Sequence, residues 1–369
     1  CELSYPMHRE VPPLKKLLIG LGVILIGAVA VINQRAAIAE KILDRGLEER
    51  ILTNRINDLD DGLHLALCGA GGPLPGPKAS GPCVAVVAGT DLYIVDAGTD
   101  GLRNLSRMGY PAGMIDSVFL THFHSDHIDG LGEMGTIRWA AGQHTEPLPV
   151  YGPTGVEQVV TGFNSAYAQD MTYRHAHHGA TVVPMSGAGL SAQPFATPKQ
   201  GELLTVLEKN GLIVEALLVD HTPVHPAVGY KFSYKGRSLL ITGDTKQSSN
   251  IETLAHGVDL LVHEALAPNL VLKMHSAAKN AGNEGVAKIF VDILDYHASP
   301  AEAAQTAKNA DVGHLLYYHI VPPMVIPGQE KLWLNGAEAI FPTYTVGEDG
   351  VSFSLPANSE VIQQTASGL

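Results

Sequence analysis

The chain has 369 residues, of which 45% are hydrophobic, and its 24 basic and 37 acidic residues leave a formal net charge of −13. It contains no repeats and no long charge runs, and its apolar content is sufficient for one large α/β domain with a substantial core. Because proteins bind nucleic acids largely through lysine and arginine, the acidic balance argues against a nucleic-acid partner.

The first predicted element is an apolar helix near the N-terminus. Residues 17–32 carry no charged or strongly polar side chain, and Lys15 and Lys16 precede them. A basic start followed by an apolar run is typical of a secretory signal or an uncleaved anchor, although a bilayer span usually needs about 20 residues. We predict a signal peptide or membrane anchor over residues 1–34. It would place the rest of the chain in the periplasm or elsewhere outside the cytoplasm, exported or anchored in the inner membrane.

The segment that follows is predicted to be an amphipathic helical stalk, residues 35–60, because apolar residues recur at helical spacing between Ile38 and Ile51. Residues 61–356 form the predicted catalytic domain, and residues 357–369 a polar tail. At the start of that domain, Cys68 and Cys83 flank a loop rich in glycine and proline. The sequence leaves open whether they form a disulfide or stay as two thiols.

Three histidines and an aspartate come directly after a strand-like run in the middle of the chain. Residues 117–120 precede His122, His124, Asp126 and His127. Imidazole and carboxylate groups are ligands that suit zinc, and alternation along an extended chain points His122 and His124 the same way. The turn that follows can bring Asp126 and His127 to a neighbouring point, so that one loop could serve two metal ions.

Four later apolar runs also end in a histidine or an acidic residue. Short apolar runs bounded by polar or glycine residues are typical of buried strands, and these runs end at His221, Asp244, His263-Glu264 and His319. Strand ends meet at the edge of a sheet, so the sequence predicts a metal site assembled from distant segments. By chemistry alone, His225 is an alternative ligand to His221.

These motifs resemble the metallo-β-lactamase-fold hydrolases, in particular the branch of ribonuclease Z and the zinc arylsulfatases. The resemblance rests on residues 122–127, 220–223, 243–245, 262–265, 296–300 and 318–323, which occur in the family's order. It implies an α/β protein with the four-layer αβ/βα sandwich of that fold. The N-terminal membrane-targeting helix predicted above would precede this domain.

The resemblance also implies two zinc ions per chain. His122, His124 and His221 would hold one ion, Asp126, His127 and His319 would hold the other, and Asp244 would bridge them. Asp126, His297 and Glu264 would be the catalytic residues. Asp126 would orient a metal-bridging hydroxide, His297 would protonate the leaving group, and Glu264 would orient a histidine. Asp96 would support the ligand loop.

The predicted chemistry is ester hydrolysis by the shared hydroxide, which suits phosphodiesters, sulfate esters, carboxyl esters and lactams alike. A bridging Asp244 favours ester hydrolysis over a zinc β-lactamase or lactonase, which is the alternative. The arm with which the family grips transfer RNA would fall at about residues 163–200, a stretch that we predict to be loop-rich and in which Lys199 is the only lysine. We therefore predict a small-molecule ester substrate and the membrane as a partner through the N-terminal segment. A homodimer is compatible with the sequence. Nucleic acid is an unlikely partner. Ribonuclease Z-type RNA processing and non-catalytic binding are less favoured functions than ester hydrolysis or the lactamase or lactonase alternative.

Overall fold

The computed structural model describes residues 13–365 and residue 369. The chain divides into two compact units, residues 1–53 and residues 54–369. The described part of the first unit is one long helix, α1 (Pro13–Leu52), which covers parts of both the predicted anchor and the predicted stalk.

The predicted N-terminal membrane anchor finds no support. Among the residues that the structure describes, no helix is both long enough and apolar enough to cross a membrane. Residues 1–12 of the predicted anchor lie outside the described residues. The helix α1 also runs without a break at residue 34 into a charged second half, so the predicted boundary between anchor and stalk is not marked by an end of secondary structure.

The second unit is built on two mixed β-sheets. In chain order the strands are β1 (Gly62–Gly69), β2 (Cys83–Ala88), β3 (Asp91–Val95), β4 (Ile115–Phe119), β5 (Leu148–Pro153), β6 (Leu190–Phe195), β7 (Leu203–Lys209), β8 (Leu212–Leu218), β9 (Val228–Tyr234), β10 (Arg237–Ile241), β11 (Leu260–Leu266), β12 (His314–Val321), β13 (Tyr344–Val346), β14 (Ser352–Pro356) and β15 (Gln363–Thr365). The described strands form one sheet in the order β15-β14-β1-β2-β3-β4-β5-β6 and a second in the order β13-β12-β11-β10-β9-β8-β7.

The helices of this unit include those that pack on the outer faces of the two sheets. They are α2 (Gly101–Arg107), α3 (Ser125–Ile128), α4 (Leu131–Gly142), α5 (Val156–His178), α6 (Ser249–Leu254), α7 (Pro268–Asn280), α8 (Glu284–Asp292), α9 (Pro300–Asn309), α10 (Gln329–Leu334) and α11 (Ala337–Ile340).

The core has three layers because strand side chains alternate between the two faces of each sheet. Leu63 and Leu65 of β1 point inward and pack against side chains such as Phe232 from the other sheet. Ala66 of β1 points outward into a second apolar cluster beneath α2, α4 and α5. A third cluster lies between the second sheet and α6, α9 and α10. This arrangement confirms the predicted α/β four-layer sandwich.

The predicted strands are present where the apolar runs indicated them. The five runs fall on β4, β8, β10, β11 and β12. Each has a side that is fully buried, which is why its apolar residues could be recognised as strands from sequence.

The prediction of a loop-rich stretch over residues 163–200 is wrong. Residues 156–178 form the 23-residue helix α5, and residues 190–195 form β6 at the edge of the first sheet. The glycines and prolines of this stretch are concentrated after residue 178, and Gly162 is the only glycine or proline within α5. The polar composition of residues 163–178 reflects an exposed helix rather than a loop.

The two cysteines whose state the sequence left open are joined. Cys68 at the end of β1 and Cys83 at the start of β2 form a disulfide across a sequence separation of 15 residues. It closes the base of the glycine- and proline-rich loop, which lies beside the predicted metal ligands.

Candidate metal centre

The predicted ligands come together because of the direction of the strands that carry them. In the first sheet β3 and β4 are parallel, and in the second sheet β10, β11 and β12 are parallel. Carboxyl ends of parallel strands lie at one edge of a sheet. The two edges are tied to each other where the Tyr230 hydroxyl donates to the Leu120 carbonyl oxygen (2.7 Å) and the Val228 N–H donates to the Thr121 carbonyl oxygen (3.0 Å).

The ligand atoms form adjoining clusters in which all atoms lie within 4.8 Å of one another. One cluster contains His122, His124, His221 and Asp244, and another contains Asp126, His127 and His319. A third grouping joins Asp244 and His319 to His297. All seven residues that the resemblance implies as metal ligands are therefore brought together in these adjoining clusters.

The carboxylate of Asp244 lies between the two sets. Its Oδ2 atom is 3.8 Å from Nε2 of His122 and 3.8 Å from Nε2 of His221. Its Oδ1 atom is 3.4 Å from Nε2 of His127 and 3.4 Å from Nε2 of His319. These separations are too long for good hydrogen bonds. Two ligand atoms that each lie about 2.1 Å from one tetrahedral zinc ion are about 3.4 Å apart, so the spacing fits shared coordination.

The buried polar atoms of the cluster also fit a metal. Nε2 of His127, Nε2 of His221, Nε2 of His319 and Oδ1 of Asp244 are buried and have no hydrogen-bond partner among the described residues. An unpaired buried polar atom usually costs about 1–3 kcal/mol, and four at one point call for an explanation. Neutral nitrogen and carboxylate oxygen are the donors that zinc takes.

The electrostatics of the cluster favour positive charge at its centre. Burial raises the pKa of Asp244, but the imidazoles of His319 and His127 outweigh this and hold it well below its usual range. Burial lowers the pKa of His127, but the carboxylates of Asp244 and Asp96 raise it well above its ordinary value. Burial, helped by His127, holds the pKa of His122 well below its ordinary value, which leaves a neutral imidazole available as a ligand.

Hydrogen bonds to the opposite ring nitrogens orient two of these histidines. Nδ1 of His127 donates to Oδ2 of Asp96 (2.8 Å), and Nδ1 of His221 donates to the Tyr296 carbonyl oxygen (2.9 Å). Asp96 also accepts from the N–H and the hydroxyl of Thr121 at 2.8 and 2.9 Å. Both arrangements leave Nε2 facing the cluster, and such partners fix the tautomer and direction of metal-binding histidines. Asp96 therefore supports the ligand loop, as the sequence predicted.

His319 reaches the cluster because it lies in a bulge of β12. Glu264 pairs with Tyr318 in the β11–β12 ladder, and the next pair joins Ala265 to Ile320, so His319 is the extra residue. Its φ of +46° lies in the left-handed region, which is uncommon for residues other than glycine. A bulge redirects a side chain, and here it aims the imidazole at Asp126 and Asp244.

Glu264 lies next to the cluster, where it holds His297. Its Oε1 atom accepts from Nδ1 of His297 (2.9 Å) and from the backbone N–H groups of Thr245 (3.0 Å) and Ala298 (3.2 Å). The ring of His297 lies 5.2 Å from that of His221 and 5.6 Å from that of His319. Burial lowers the pKa of His297, but the Glu264 carboxylate beside it more than compensates and raises it to about 9.

The choice between His221 and His225 is made by the tertiary structure. His221 is fully buried in the cluster, whereas Nε2 of His225 lies 3.2 Å from the Thr222 hydroxyl at the exposed surface. Among the described residues, His225 belongs to none of the metal-binding groups.

Gly72 is part of the site's surroundings that the sequence analysis missed. A Cβ atom at Gly72 would lie 2.8 Å from Cε1 and 3.0 Å from Nε2 of His319. Such contacts are too short for carbon, so only glycine lets the loop between β1 and β2 approach this imidazole. The signal in the sequence was the pair Gly71-Gly72 in the glycine- and proline-rich loop between Cys68 and Cys83.

We expect Gly72→Ala to push the His319 ring away from the cluster. The variant should bind about one zinc ion fewer per chain, and its activity should fall by roughly 10–100-fold, as when the support of a metal ligand is lost. Metal content measured by mass spectrometry, together with turnover, checks this. Gly162→Ala on α5 is the matched control, since nothing lies within 4 Å of its Cβ position. Wild-type zinc content and turnover in Gly72→Ala would show that the close approach does not matter.

Comparisons with known proteins agree with this geometry. Residues 76–292 match the family described as the metallo-beta-lactamase superfamily. Ribonuclease Z of Mycobacterium avium (strain 104) is 33% identical over 273 residues, which cover 73% of this chain and 90% of that protein. Ribonuclease Z of Mycobacterium marinum (strain ATCC BAA-535 / M) is 34% identical with the same coverage.

Among solved structures, human tRNase Z, short form, superposes with a TM-score of 0.55 at 19% identity, covering 79% of this chain and 99% of that chain. The metallo-beta-lactamase fold protein YhfI from Bacillus subtilis superposes with a TM-score of 0.56 at 20% identity, covering 80% of this chain and 100% of that one.

These relatives correct two predictions. The statement that nucleic acid is an unlikely partner, and with it the small-molecule ester as substrate, is wrong, because the relatives are named as ribonucleases. Net charge sums over the whole surface and does not describe the local surface that meets a ligand. The predicted periplasmic or extracytoplasmic location is also wrong. It rested on the anchor at residues 1–34, which no described helix supports, and the similarity is to ribonuclease Z rather than to an exported esterase or sulfatase.

Proposed function

Because this chain belongs to the metallo-beta-lactamase superfamily of hydrolases, we propose that it is a dinuclear zinc phosphodiesterase that cleaves RNA. The observation that carries the proposal is the position of Asp244, whose two carboxylate oxygens face two different sets of histidines. A carboxylate that bridges two metal ions suits in-line attack on a phosphodiester, in which both the attacking and the leaving oxygen need stabilisation. RNA is proposed because the similarity to ribonuclease Z extends over 90% of that protein.

The predicted cofactor, two zinc ions, is that of the family and fits the donor atoms present. We assign His122, His124 and His221 to one ion, Asp126, His127 and His319 to the other, and Asp244 to both. When bound, zinc ions lower the pKa of water towards about 7 and stabilise negative charge on the phosphate oxygens.

Three side chains would orient the attacking water, donate the proton and position the proton donor. The Asp126 side chain is 15% exposed and lies at the mouth of the cluster, with Oδ2 3.4 Å from Nε2 of His319, so it can orient the attacking water. His297 is held through Nδ1 by Glu264, and its Nε2 has no hydrogen-bond partner among the described residues, so it can give a proton to the departing oxygen. Glu264 is fully buried, so we assign it a positioning role rather than contact with the substrate.

A side-by-side assay of the purified, zinc-loaded protein tests this function. The substrates are an RNA with a structured 5′ part and a single-stranded 3′ trailer, a bis-aryl phosphodiester, an aryl sulfate and a cephalosporin. We expect RNA cleavage that a metal chelator abolishes and zinc restores. Efficient cephalosporin turnover with no RNA cleavage would overturn the proposal and favour the lactamase alternative.

We expect Glu264→Gln to shift the pH dependence of this reaction. The Glu264 carboxylate raises the pKa of His297 to about 9 against the effect of burial, so removing its charge lowers that pKa. A general acid acts only while protonated, and activity is lost as the pH rises through its pKa. The alkaline limb of the kcat profile should therefore move to lower pH.

Glu348→Gln, at an exposed ion pair with Lys78, is the control and should leave the profile unchanged. Thermal melting of both variants separates this effect from unfolding. An alkaline limb that stays in place in a folded Glu264→Gln variant would remove Glu264 from the proposed role.

A further inference from the structure

A cavity of about 280 Å³ opens directly beside the metal centre. Asp126 belongs to its wall, together with Ser125 of the same helix and Asp129, which directly follows that helix. The facing wall is the loop between β1 and β2, including Gly72 and Ser80, and Thr99 and Asp100 complete the lining. A group attached to a phosphate at the metal centre can therefore enter this cavity.

The chemistry of the lining excludes a phosphate from this cavity. Its lining residues include three carboxylates, those of Asp126, Asp129 and Asp100, and no lysine, arginine or histidine. Like charges at short range repel strongly where water is restricted. The lining instead offers acceptors and hydroxyls, which fit an uncharged group that donates hydrogen bonds.

Asp129 has an unused acceptor at this position. Its backbone N–H donates to the Ser125 carbonyl oxygen (2.8 Å), but within the described part of the chain its carboxylate accepts no hydrogen bond. Asp100, by comparison, lies 3.7 Å from the guanidinium of Arg103. Asp129 is therefore the carboxylate of the lining that is available to a ligand.

The cavity continues into a second one of about 420 Å³, with which it shares Thr99, Asp100 and Asp129. Arg103 and Arg174 line this outer cavity. Both arginines have carboxylate partners, Glu133 and Asp170, in surface ion pairs that are worth little. The inner lining has three carboxylates and no cation, whereas in the outer lining the carboxylates of Asp100, Asp129 and Glu133 are accompanied by two arginines. A cation becomes available only away from the metal centre, which matches the alternation of nucleoside and phosphate along a strand.

We propose that the cavity beside Asp126 holds the nucleoside next to the scissile phosphate, and that Asp129 accepts a hydrogen bond from its ribose 2′-hydroxyl. The 2′-hydroxyl is the group that distinguishes RNA from DNA, and carboxylates recognise ribose hydroxyls in nucleotide-binding folds. Asp129 is then the residue that sets the preference for RNA over DNA. This inference rests on the proposed function.

Single-atom changes in the substrate test the assignment. Three oligonucleotides are compared: one all-ribose RNA and two with a single 2′-deoxy nucleotide, on either side of the scissile bond. For the wild-type protein we expect kcat/KM to fall about tenfold to a hundredfold for one of the two deoxy substrates, the range for a hydrogen bond to a charged group.

The variants decide whether Asp129 is the acceptor. Asp129→Ala should cleave the all-ribose RNA slower by a similar factor and should no longer distinguish the deoxy substrate. Asp129→Asn keeps an acceptor oxygen and should recover part of the discrimination. Glu133→Ala, which lines only the outer cavity, should discriminate like wild type.

Undiminished discrimination in Asp129→Ala, or none in the wild type, overturns the inference while leaving RNA cleavage intact. A wild-type protein that cleaves none of the RNAs overturns the proposed function itself. Because Asp129 is exposed, the alanine variant is expected to melt at the wild-type temperature.

Discussion

Replacing Asp244 with asparagine is expected to remove zinc and activity together. The amide keeps the shape of the side chain but loses the charge that faces four imidazoles at 3.4–3.8 Å. A neutral amide is a poor zinc ligand, and two adjacent cations that share no carboxylate repel one another. We expect fewer than two zinc ions per chain at micromolar free zinc and a loss of at least about 10³-fold in kcat/KM, since metal ions supply several kcal/mol of transition-state stabilisation.

Metal analysis by mass spectrometry and steady-state kinetics measure these two effects in the same preparations. Asp292→Asn on α8 is a matched control, because among the described residues that carboxylate forms an ion pair only with Lys288, at the surface. A melting curve shows that the Asp244→Asn protein is folded. Two bound zinc ions and near-wild-type turnover in the folded variant would contradict the bridging assignment.

Replacing His297 with alanine is expected to slow turnover and leave the metal in place. The imidazole lies beside the cluster, with its Nδ1 committed to Glu264, so its loss removes a proton donor rather than one of the assigned ligands. We expect kcat to fall about 10²–10⁴-fold, the usual contribution of general acid catalysis. The zinc content should stay at two ions per chain.

The choice of substrate separates an acid from a structural residue. A leaving group of low pKa needs no proton, so a p-nitrophenyl phosphodiester should be cleaved by His297→Ala at a rate much closer to wild type than RNA is. Equal losses on both substrates would indicate that His297 only maintains the shape of the site. Loss of zinc from the variant would instead identify it as a ligand, as its grouping with Asp244 and His319 allows.

The sequence was informative about this protein where chemistry and burial are local. His122, His124, Asp126 and His127 lie within six residues after a buried strand, so their pattern could be read directly. The later predicted ligands Asp244 and His319 could be recognised because each lies at or near the end of an apolar run, and such runs reveal buried strands. The same reasoning misread residues 163–178, because an exposed polar helix has no apolar run to mark it.

The N-terminal prediction failed for a related reason. An apolar stretch was taken as an anchor from its composition, and a whole-chain charge was taken as evidence about a ligand surface. Neither the composition of a segment nor the net charge of the chain specifies which residues are neighbours in the folded protein. The similarity to ribonuclease Z enzymes therefore outweighed both.

The sequence by itself determined the α/β class, the five strands that lead to the predicted ligands, and a set of residues whose chemistry suits two zinc ions. Only the tertiary structure decided how they meet: His221 rather than His225, the two oxygens of Asp244 divided between two sets of histidines, and Glu264 paired with His297 across 33 residues. It also decided the bulge that turns His319 inward and the approach of Gly72 to that ring. Residue patterns record whether a segment is buried and extended, whereas strand order, register and bulges arise from packing between segments far apart in the chain.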